Sequence, residues 1–335
     1  MAVPMIPPPG APDFLKAHGW DGAQILPLAG DASFRRYFRI VDGDRSAVLM
    51  DAPPEHEDCR PFLAIADELA RRGLSAPQAL AVDLDQGLVL LEDYRDDRVN
   101  PLLARAPELE RALYELAIDL LAELHRAPPP EGLAPYDEAV LRREVDLLTE
   151  YYAPLVEQAV DAEAFARIWS DAWRDVLAET AGDPVLVLRD YHADNLMWLP
   201  EREGVRALGL LDFQDALAGH RAYDLVSLLQ DARRDVDPAL EQAMIDRYVA
   251  AAGIADAAGF RAAYELLGAQ RNTKILGIFT RLWKRDGKPH YLAFQPRVWG
   301  YLERNLAHPS LAPLKDWFDA HLPPEKRASA WGNAA

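Results

Sequence analysis

The chain has little of what marks secreted or membrane proteins. Its 335 residues include a single cysteine, Cys59, so no disulfide can form within the chain. No run of roughly eighteen apolar residues occurs, which predicts that no helix spans a membrane. The first residues, MAVPMIPPPGAPDF, lack the basic and apolar regions of a secretion signal. We therefore expect a cytoplasmic protein in which Cys59 is a small buried hydrophobe.

Basic residues are scarce relative to acidic ones. Lys and Arg number 36 against 54 Asp and Glu, which gives a formal net charge of −18. Such a surface repels the phosphates of nucleic acids and of anionic membranes, so neither is an expected partner. Nothing in the sequence indicates an obligatory protein partner. Half of the residues are hydrophobic, which allows a sizeable core in one large domain or two lobes.

The residue pattern divides the chain into a strand-rich part and a helical part. The strand-rich part contains a predicted hairpin (SFRRYFRIV and SAVLMDA), a helix over residues 60–72 and two further short strands. From Pro101 onwards the spacing of apolar residues predicts long amphipathic helices. This α+β arrangement resembles the bilobal fold of protein kinases. We predict a small β-rich lobe (1–95, with a hinge near 92–96) and a large, mainly helical lobe (96–335).

Two short apolar runs lie inside the helical part, PVLVLRDY and VRALGLLDF, and are predicted to form a buried hairpin. Three polar residues stand at its loops: Asp190 and Asn195 are five apart, and Asp212 follows seventeen later. Phosphoryl transfer needs a carboxylate for the proton of the attacking hydroxyl and hard oxygen ligands for magnesium. The pattern therefore predicts Asp190 as catalytic base and Asn195 and Asp212 as Mg²⁺ ligands. Simple turn capping by Asp190 and Asn195 is the alternative.

The same stretch resembles the aminoglycoside phosphotransferase and choline kinase superfamily, whose motif reads L-H-G-D-x-x-x-x-N. Here Leu188 stands at the position of the His, and Arg189 at that of the Gly. The His braces the loop and takes no part in the chemistry, so the assignment of Asp190 is unaffected. The segment GHRAYDLVSLL resembles the family's G-D-P-x-x-D-L-A. The resemblance makes Asp224 a buried brace whose carboxylate accepts from amides of the catalytic loop, a role compatible with helix capping.

The strand-rich part resembles the nucleotide-binding lobe of that superfamily but departs from it. The segment LAGDASFRRYFRI has no G-x-G-x-x-G, and Gly30 and Ser33 are the predicted phosphate contacts, with an ordinary hairpin turn as the alternative. Met50 stands where the superfamily has a phosphate-binding Lys. Another cation would have to replace that Lys. Arg35 and Arg36 are nearest in sequence, and Arg36 is assigned.

The segment LVLLEDY resembles the superfamily's hinge. The resemblance implies that backbone groups around Glu92, Asp93 and Tyr94 hydrogen-bond adenine, and that ATP and Mg²⁺ are the cofactors. A plain strand end followed by an acidic turn is the alternative.

A basic segment in this acidic chain, QRNTKILGIFTRLWKRDGK, bears on the acceptor. Arg271, Lys274 and Arg281 fall near one face of a predicted helix. The segment is either a solvated helix face or a wall that accepts a sugar carboxylate. We predict that Arg271, Lys274 and His192 contact the sugar, and the basic segment argues against a cationic substrate.

This segment and its surroundings, together with GDASFRRYFRI and MDAPPEHEDCRPF, resemble bacterial N-acetylmuramate/N-acetylglucosamine anomeric kinases of cell-wall recycling over nearly the whole chain. That family tolerates Met at the Lys position. The resemblance implies ATP-dependent phosphorylation of the C1 hydroxyl, which is acidic enough for Asp190 to be its base with an ordinary pKa. The alternatives are a kinase for choline, an aminoglycoside or another small alcohol, and a non-catalytic nucleotide-binding protein, which Met50 would favour.

Overall fold

The computed structural model describes residues 5–30, 34–180 and 182–327. The chain divides into two compact units, neither of them continuous in sequence. The first unit comprises Met1–Pro107 and Asp194–Asp215, and the second comprises Glu108–Ala193 and Ala216–Ala335. The chain therefore passes from the second unit to the first inside the motif that contains Asp190 and Asn195.

The regular elements are numbered in chain order. The strands are β1 (Gln24–Gly30), β2 (Arg36–Asp42), β3 (Arg45–Asp51), β4 (Ala79–Asp83), β5 (Leu88–Glu92), β6 (Val185–Val187), β7 (Leu196–Trp198), β8 (Leu208–Leu210) and β9 (Leu217–Gly219). The α-helices are α1 (Ala11–Ala17), α2 (Arg60–Arg71), α3 (Val99–Arg105), α4 (Glu110–Leu124), α5 (Glu138–Leu147), α6 (Ala153–Leu155), α7 (Ala162–Thr180), α8 (Ala222–Leu229), α9 (Pro238–Ala251), α10 (Ala257–Asp286), α11 (Gln295–Leu306) and α12 (Ala312–His321). A π turn covers Leu148–Tyr152, and 3₁₀ turns cover Pro107–Leu109, Ala193–Asn195, Gly204–Ala207, Pro289–Phe294 and Pro309–Leu311.

The first unit is built on an antiparallel sheet in the strand order β1-β2-β3-β5-β4. Alternate residues of β2 and β3, among them Phe38 and Leu49, are fully buried on one face, where they pack with Phe14 of α1. The turn between β2 and β3 contains Gly43, whose φ of 60° is left-handed. Cys59, just before α2, is buried as expected. The hairpin, α2, β4 and β5 are confirmed, whereas the proline-rich start of the sequence does not predict α1 or β1.

The two apolar runs that adjoin Asp190 and Asp212 do not pair with each other. Strand β6 pairs with β9 in the second unit, with Val185 opposite Gly219. Strand β7 pairs with β8 in the first unit, with Leu196 opposite Leu210. The prediction of one hairpin from PVLVLRDY and VRALGLLDF was therefore wrong. Strands of three residues are too short for alternation to identify a partner, and apolar character alone says only that they are buried.

The second unit consists mainly of helices packed around α10, a helix of 30 residues. Every residue from 263 to 273 is buried, because α5, α7, α8 and α11 all contact α10. Gly277 allows a close approach, since a Cβ there would lie 2.4 Å from the carbonyl carbon of Leu147. The amphipathic helices expected after Pro101 are confirmed. Within the described part of the chain, no helix is both long and apolar enough to cross a membrane.

Candidate active site

Asp190 lies in the second unit, in the turn that follows β6. The Asp190 amide donates to the Leu188 carbonyl (2.9 Å), and the His192 amide donates to the Asp190 carbonyl (3.1 Å). Asp224 is fully buried in the first turn of α8 and accepts from the amides of Leu188 (2.7 Å) and Arg189 (2.8 Å). Its carboxylate thus holds the backbone that precedes Asp190. Burial raises the pKa of Asp224 to about 7, although the two amides lower it.

Arg189 stands where the superfamily motif has glycine, and its backbone shows why glycine is suited there. Its φ is 70°, a left-handed conformation that costs a residue with a side chain about 1 kcal/mol. The guanidinium donates to Glu144 Oε1 at 2.5 Å, and the Ser227 hydroxyl donates to the Arg189 carbonyl at 3.2 Å. These contacts hold the residue in its unfavourable conformation and offset its cost.

Glu144, on α5, is the centre of a buried cluster that the sequence does not predict. Besides Arg189, its carboxylate accepts from Lys274 Nζ (2.8 Å), the Tyr136 hydroxyl (2.5 Å) and Gln270 Nε2 (2.9 Å). Burial raises the pKa of Glu144, but Lys274 and Arg189 outweigh it and bring the pKa to about 2. Glu144 is therefore a fixed anion that holds two cations beside the loop that carries Asp190. In the sequence, the only indication of this cluster is a single acidic residue on the buried side of an amphipathic helix.

The charge state of Asp190 is set by its neighbours. Burial favours the protonated form, but Lys274, His192 and Arg271 hold the pKa of the Asp190 carboxyl below its usual value. Asp190 is thus ionised at neutral pH and able to accept a proton, with a pKa lower than the ordinary value expected from the sequence. Burial also lowers the pKa of His192, so its ring is neutral at neutral pH.

The three predicted sugar contacts lie in the second unit and differ in how their polar atoms are satisfied. Lys274 donates to Glu144 and to the Tyr223 hydroxyl (3.3 Å), so its charge is compensated. Arg271 is only 5% exposed, and its Nη1 has no hydrogen-bond partner among the described residues. The Nδ1 atom of His192 is likewise buried without a partner in the described part of the chain. Unsatisfied buried polar atoms are uncommon in folded proteins, and a water molecule, an ion or a ligand can account for them.

The predicted metal ligands, Asn195 and Asp212, lie together in the first unit. Asn195 directly precedes β7, and Asp212 follows β8 after one residue, so the pairing of β7 with β8 brings them side by side. Asn195 Nδ2 is 3.5 Å from Asp212 Oδ2, and the Leu211 amide donates to the Asn195 carbonyl at 3.0 Å. The φ of Asp212 is 57°, a strained conformation of the kind found at functional sites.

The donor set of this pair fits Mg²⁺. A carboxylate and an amide oxygen are hard donors, and Mg²⁺ commonly takes one or two protein ligands and completes its shell with water and phosphate oxygens. Gln214 Nε2 donates to Asp212 Oδ1 (2.9 Å), and Arg35 Nη2 lies 3.6 Å from the same oxygen, so the carboxylate already attracts positive charge. The described residues contain no group of three or more His, Cys, Asp or Glu side chains that would hold a metal without such additional ligands.

The predicted phosphate contacts are also in the first unit. Gly30 ends β1 opposite Arg36 of β2, and Ser33 lies outside the described residues. Arg36 Nε donates to Asp51 Oδ2 at 2.8 Å. Met50, at the position of the superfamily's Lys, is uncharged and is fully buried in β3. Contact of Gly30 and Arg36 with phosphate stays a prediction.

Side chains at the predicted hinge have partners within the first unit. Glu92 pairs with Arg202, and its amide donates to the Gln78 carbonyl at 2.9 Å. The Tyr94 ring is buried with the Arg202 guanidinium 5.1 Å from its centroid. Asp93 accepts from the Ser46 hydroxyl at 2.6 Å. Contact of adenine with the backbone around Glu92 and Tyr94 stays a prediction.

Sequence comparison identifies the family. A sequence model of the phosphotransferase enzyme family matches residues 24–266. The chain belongs to this family. The matched region contains Asp190, Asn195, Asp212 and Glu144, whereas Arg271 and Lys274 lie beyond it.

Two relatives resemble this phosphotransferase over most of their length. N-acetylmuramate/N-acetylglucosamine kinase from Caulobacter vibrioides is 41% identical and covers 94% of this chain and 96% of its own. The protein of the same name from Pseudomonas aeruginosa is 40% identical and covers 90% of this chain and 91% of its own. Similarity of this extent supports the sequence-based resemblance to these kinases.

Among solved structures, a choline kinase from Streptococcus pneumoniae matches with a TM-score of 0.60 at 12% identity. The match covers 86% of this chain and 96% of the choline kinase. At such low identity the similarity concerns the fold alone. The prediction of an α+β, protein-kinase-like fold, with a β-rich N-terminal part and a mainly helical remainder, is confirmed.

Membership of the family establishes a class of activity. The protein is a phosphotransferase enzyme with an alcohol group as acceptor, and ATP is the phosphoryl donor that this membership implies. A non-catalytic nucleotide-binding protein is accordingly not favoured, despite Met50.

Proposed function

We propose that the protein transfers the γ-phosphoryl group of ATP to the C1 hydroxyl of N-acetylmuramate and N-acetylglucosamine, which gives the sugar 1-phosphate. The names of the two relatives support this substrate class. The observation that carries the proposal is the set of charges around Asp190. An ionised carboxylate with a lowered pKa is electrostatically coupled to Arg271, a buried cation with an unsatisfied donor.

Asp190 is the proposed general base. Its carboxylate accepts the C1 hydroxyl proton while the hydroxyl oxygen bonds to the γ-phosphorus and the bond to the β–γ bridging oxygen breaks, so that ADP leaves. A carboxylate with a lowered pKa is a weak base, and the anomeric hydroxyl is more acidic than the other sugar hydroxyls. Asp224 and Glu144 keep the catalytic loop in one conformation, which lowers the entropic part of the barrier.

Asn195 and Asp212 are the residues that would hold Mg²⁺, which when bound supplies positive charge to the ATP phosphates. The proposed nucleotide-binding lobe is 1–95, with its hinge near 92–96, and the proposed catalytic and sugar-binding lobe is 96–335. The proposed nucleotide contacts are Gly30, Ser33 and the backbone around Glu92 and Tyr94.

Arg271 is the proposed contact for the acidic acceptor. Its guanidinium can bind the lactyl carboxylate of N-acetylmuramate through two parallel hydrogen bonds. Lys274 is paired with Glu144, so it serves the sugar mainly by setting the charge around Asp190. The neutral His192 offers a ring nitrogen to a sugar hydroxyl. Cationic acceptors such as choline or aminoglycosides would meet like charges here, which argues against that alternative.

The purified protein, ATP and Mg²⁺ should be incubated with a panel of sugars, choline and aminoglycosides while ADP is followed. Phosphorylation at C1 removes the reducing end of the sugar, so reducing ends should disappear in a one-to-one ratio with ADP formed. The matched control is 1-deoxy-N-acetylglucosamine, which lacks only the C1 hydroxyl and should not react. Turnover with choline or aminoglycosides but with neither amino sugar would refute the proposal. ADP formation without loss of reducing ends would refute the anomeric position alone.

We place this reaction in the recycling of cell-wall amino sugars in the cytoplasm, where a sugar 1-phosphate is the form that can be activated to a UDP-sugar. Cells that lack the protein should accumulate the free amino sugars. Unchanged pools of both sugars would argue against this role without affecting the reaction itself.

A further inference from the structure

Arg35 is a buried arginine of the first unit that none of the assignments above uses. Its side chain is 9% exposed, and Nη2 lies 3.6 Å from Asp212 Oδ1. The segment that carries Arg35 is held in place before β2 by two contacts of Phe34. Its ring stacks on the His56 ring with 4.5 Å between the ring centroids, and its amide donates to Glu57 Oε1 at 3.3 Å. A guanidinium is thus directed at the carboxylate proposed to bind the metal.

Arg36, the neighbouring candidate, lies elsewhere in the sheet. It is directly opposite Asp51 in the β2–β3 ladder and bonds to that carboxylate, and its Nη1 also donates to the Ile6 carbonyl at 3.2 Å. Directly opposite residues share a face of a sheet, and consecutive residues alternate between faces. The side chains of Arg36 and Met50 therefore lie on opposite faces, and Arg36 cannot supply a cation on the face of Met50.

Arg35 and a metal ion would compete for one carboxylate. Both are attracted to Asp212, and they repel each other if both are bound to it with no anion between them. The phosphates of ATP are such an anion, and a planar guanidinium fits phosphate oxygens in pairs. An arrangement of metal on Asp212, phosphates beside the metal and Arg35 on the phosphates satisfies all three charges.

We propose that Arg35 is the phosphate-binding cation of this protein and that it couples nucleotide binding to metal binding. Without nucleotide, Arg35 neutralises Asp212 and weakens the affinity of the site for a divalent cation. With nucleotide, Arg35 contacts the phosphates instead, and Asp212 becomes available to the metal. By linkage, the metal then strengthens nucleotide binding by the same factor. The proposal rests on the proposed use of ATP at this site.

Binding measurements test this role without relying on turnover. ATP affinity is measured by calorimetry with Mg²⁺, and metal affinity without nucleotide by electron paramagnetic resonance with Mn²⁺, which takes similar oxygen ligands. The variants are Arg35→Ala and Arg35→Lys, with Arg36→Ala as the competing assignment. Arg71→Ala is the matched control, because it removes one exposed arginine from the same unit.

Arg35→Ala should weaken ATP binding in Mg²⁺ by about 10- to 100-fold, the usual effect of losing a charge-assisted hydrogen bond. The same variant should bind Mn²⁺ more tightly than the wild type when nucleotide is absent, because a competing cation is gone. Arg35→Lys keeps the positive charge but loses the planar guanidinium. Its affinities for ATP and for Mn²⁺ should therefore lie between those of the wild type and those of Arg35→Ala. Arg36→Ala should lower the unfolding midpoint and leave both affinities unchanged.

Weaker ATP binding together with tighter Mn²⁺ binding distinguishes this role from a merely structural one, because a structural defect would weaken the binding of both. The proposal is overturned if Arg36→Ala weakens ATP binding and Arg35→Ala does not, or if Arg35→Ala binds Mn²⁺ no more tightly than the wild type. If Arg35→Ala does not fold, Arg35→Lys is the test: it should bind ATP more weakly and Mn²⁺ more tightly than the wild type. A wild-type protein that binds no ATP would refute the proposed function itself, whereas an active Arg35→Ala with normal ATP affinity would refute only the role of Arg35.

Discussion

The Glu144 carboxylate bonds the guanidinium of Arg189, the residue immediately before Asp190. This pair fixes helix α5 to the loop that carries Asp190, through a residue whose left-handed backbone would otherwise suit glycine. The same carboxylate holds Lys274, whose charge helps to lower the pKa of Asp190. One buried anion therefore contributes both to the shape of the loop and to the charge of the proposed base.

Replacing Glu144 with Gln leaves Arg189 and Lys274 buried without their counter-charge. The free energy of unfolding at pH 7 should fall by about 3 kcal/mol, and kcat should fall as well. The pKa of Glu144 is lowered from 4.5 to about 2 in the folded protein, so its stabilising effect is present above pH 4.5 and is lost as the pH falls towards 2. Urea unfolding at neutral and acidic pH measures this.

The matched control for that experiment is Glu138→Gln, because Glu138 is an exposed acid on the same helix. It should change the free energy of unfolding by less than about 0.5 kcal/mol. If the loss of unfolding free energy in Glu144→Gln, relative to the wild type, is the same at pH 7 and at acidic pH, the assigned charge of Glu144 is contradicted.

Two substitutions of Arg189 separate the backbone from the ion pair. Arg189→Gly and Arg189→Ala both lose the contact with Glu144, but only glycine adopts a φ of 70° without strain. The Gly variant should be more stable than the Ala variant by about 1 kcal/mol. Both should have a lower kcat than the wild type. Thermal unfolding measures the difference, and equal stabilities would mean that the loop relaxes to another backbone conformation when the side chain is lost.

These contacts mark the limit of what the sequence predicts. The spacing of Asp190, Asn195 and Asp212 can be recognised because each lies in a short local motif beside an apolar run. Strand alternation and helical periodicity predict the class of fold for the same reason. Glu144 has no such motif, because its partner Arg189 is 45 residues away and the contact exists only after the helices pack.

Pairing of the short strands could not be predicted either. Each of β6, β7, β8 and β9 has three residues, and their apolar character fits several pairings equally well. The φ of 70° at Arg189 is hidden in the same way, since an arginine in sequence does not indicate a left-handed backbone. Only comparison with the glycine of the superfamily motif indicates it.

Asp190→Asn should abolish phosphoryl transfer, because the amide cannot accept the hydroxyl proton. ATP affinity should remain close to that of the wild type, since the proposed nucleotide contacts are other residues. Single-turnover kinetics and calorimetry measure the two properties. Equal loss of both would indicate a structural role for Asp190.

Asp224→Asn should lower kcat, because an amide group cannot accept from both Leu188 and Arg189 without turning its own donor towards one of them. Since the pKa of Asp224 is raised to about 7, the wild type should lose activity as the pH falls through about 7 and the brace becomes protonated. The variant should lack that limb of the pH profile of kcat. If kcat of the wild type and of Asp224→Asn falls in the same way below about pH 7, the group that titrates is not Asp224.

Arg271→Ala and Lys274→Ala should differ in their effects on the two sugars. Arg271 is buried with an unsatisfied donor, so its loss should raise KM for N-acetylmuramate by about 10-fold or more and affect N-acetylglucosamine less, because only the former carries a carboxylate. Lys274 is bonded to Glu144, and its loss should lower kcat for both sugars to a similar extent. Steady-state kinetics of both variants with both sugars measure this. Equal effects of Arg271→Ala on the two sugars would show that Arg271 does not bind the carboxylate, and a selective effect of Lys274→Ala on N-acetylmuramate would transfer that role to Lys274.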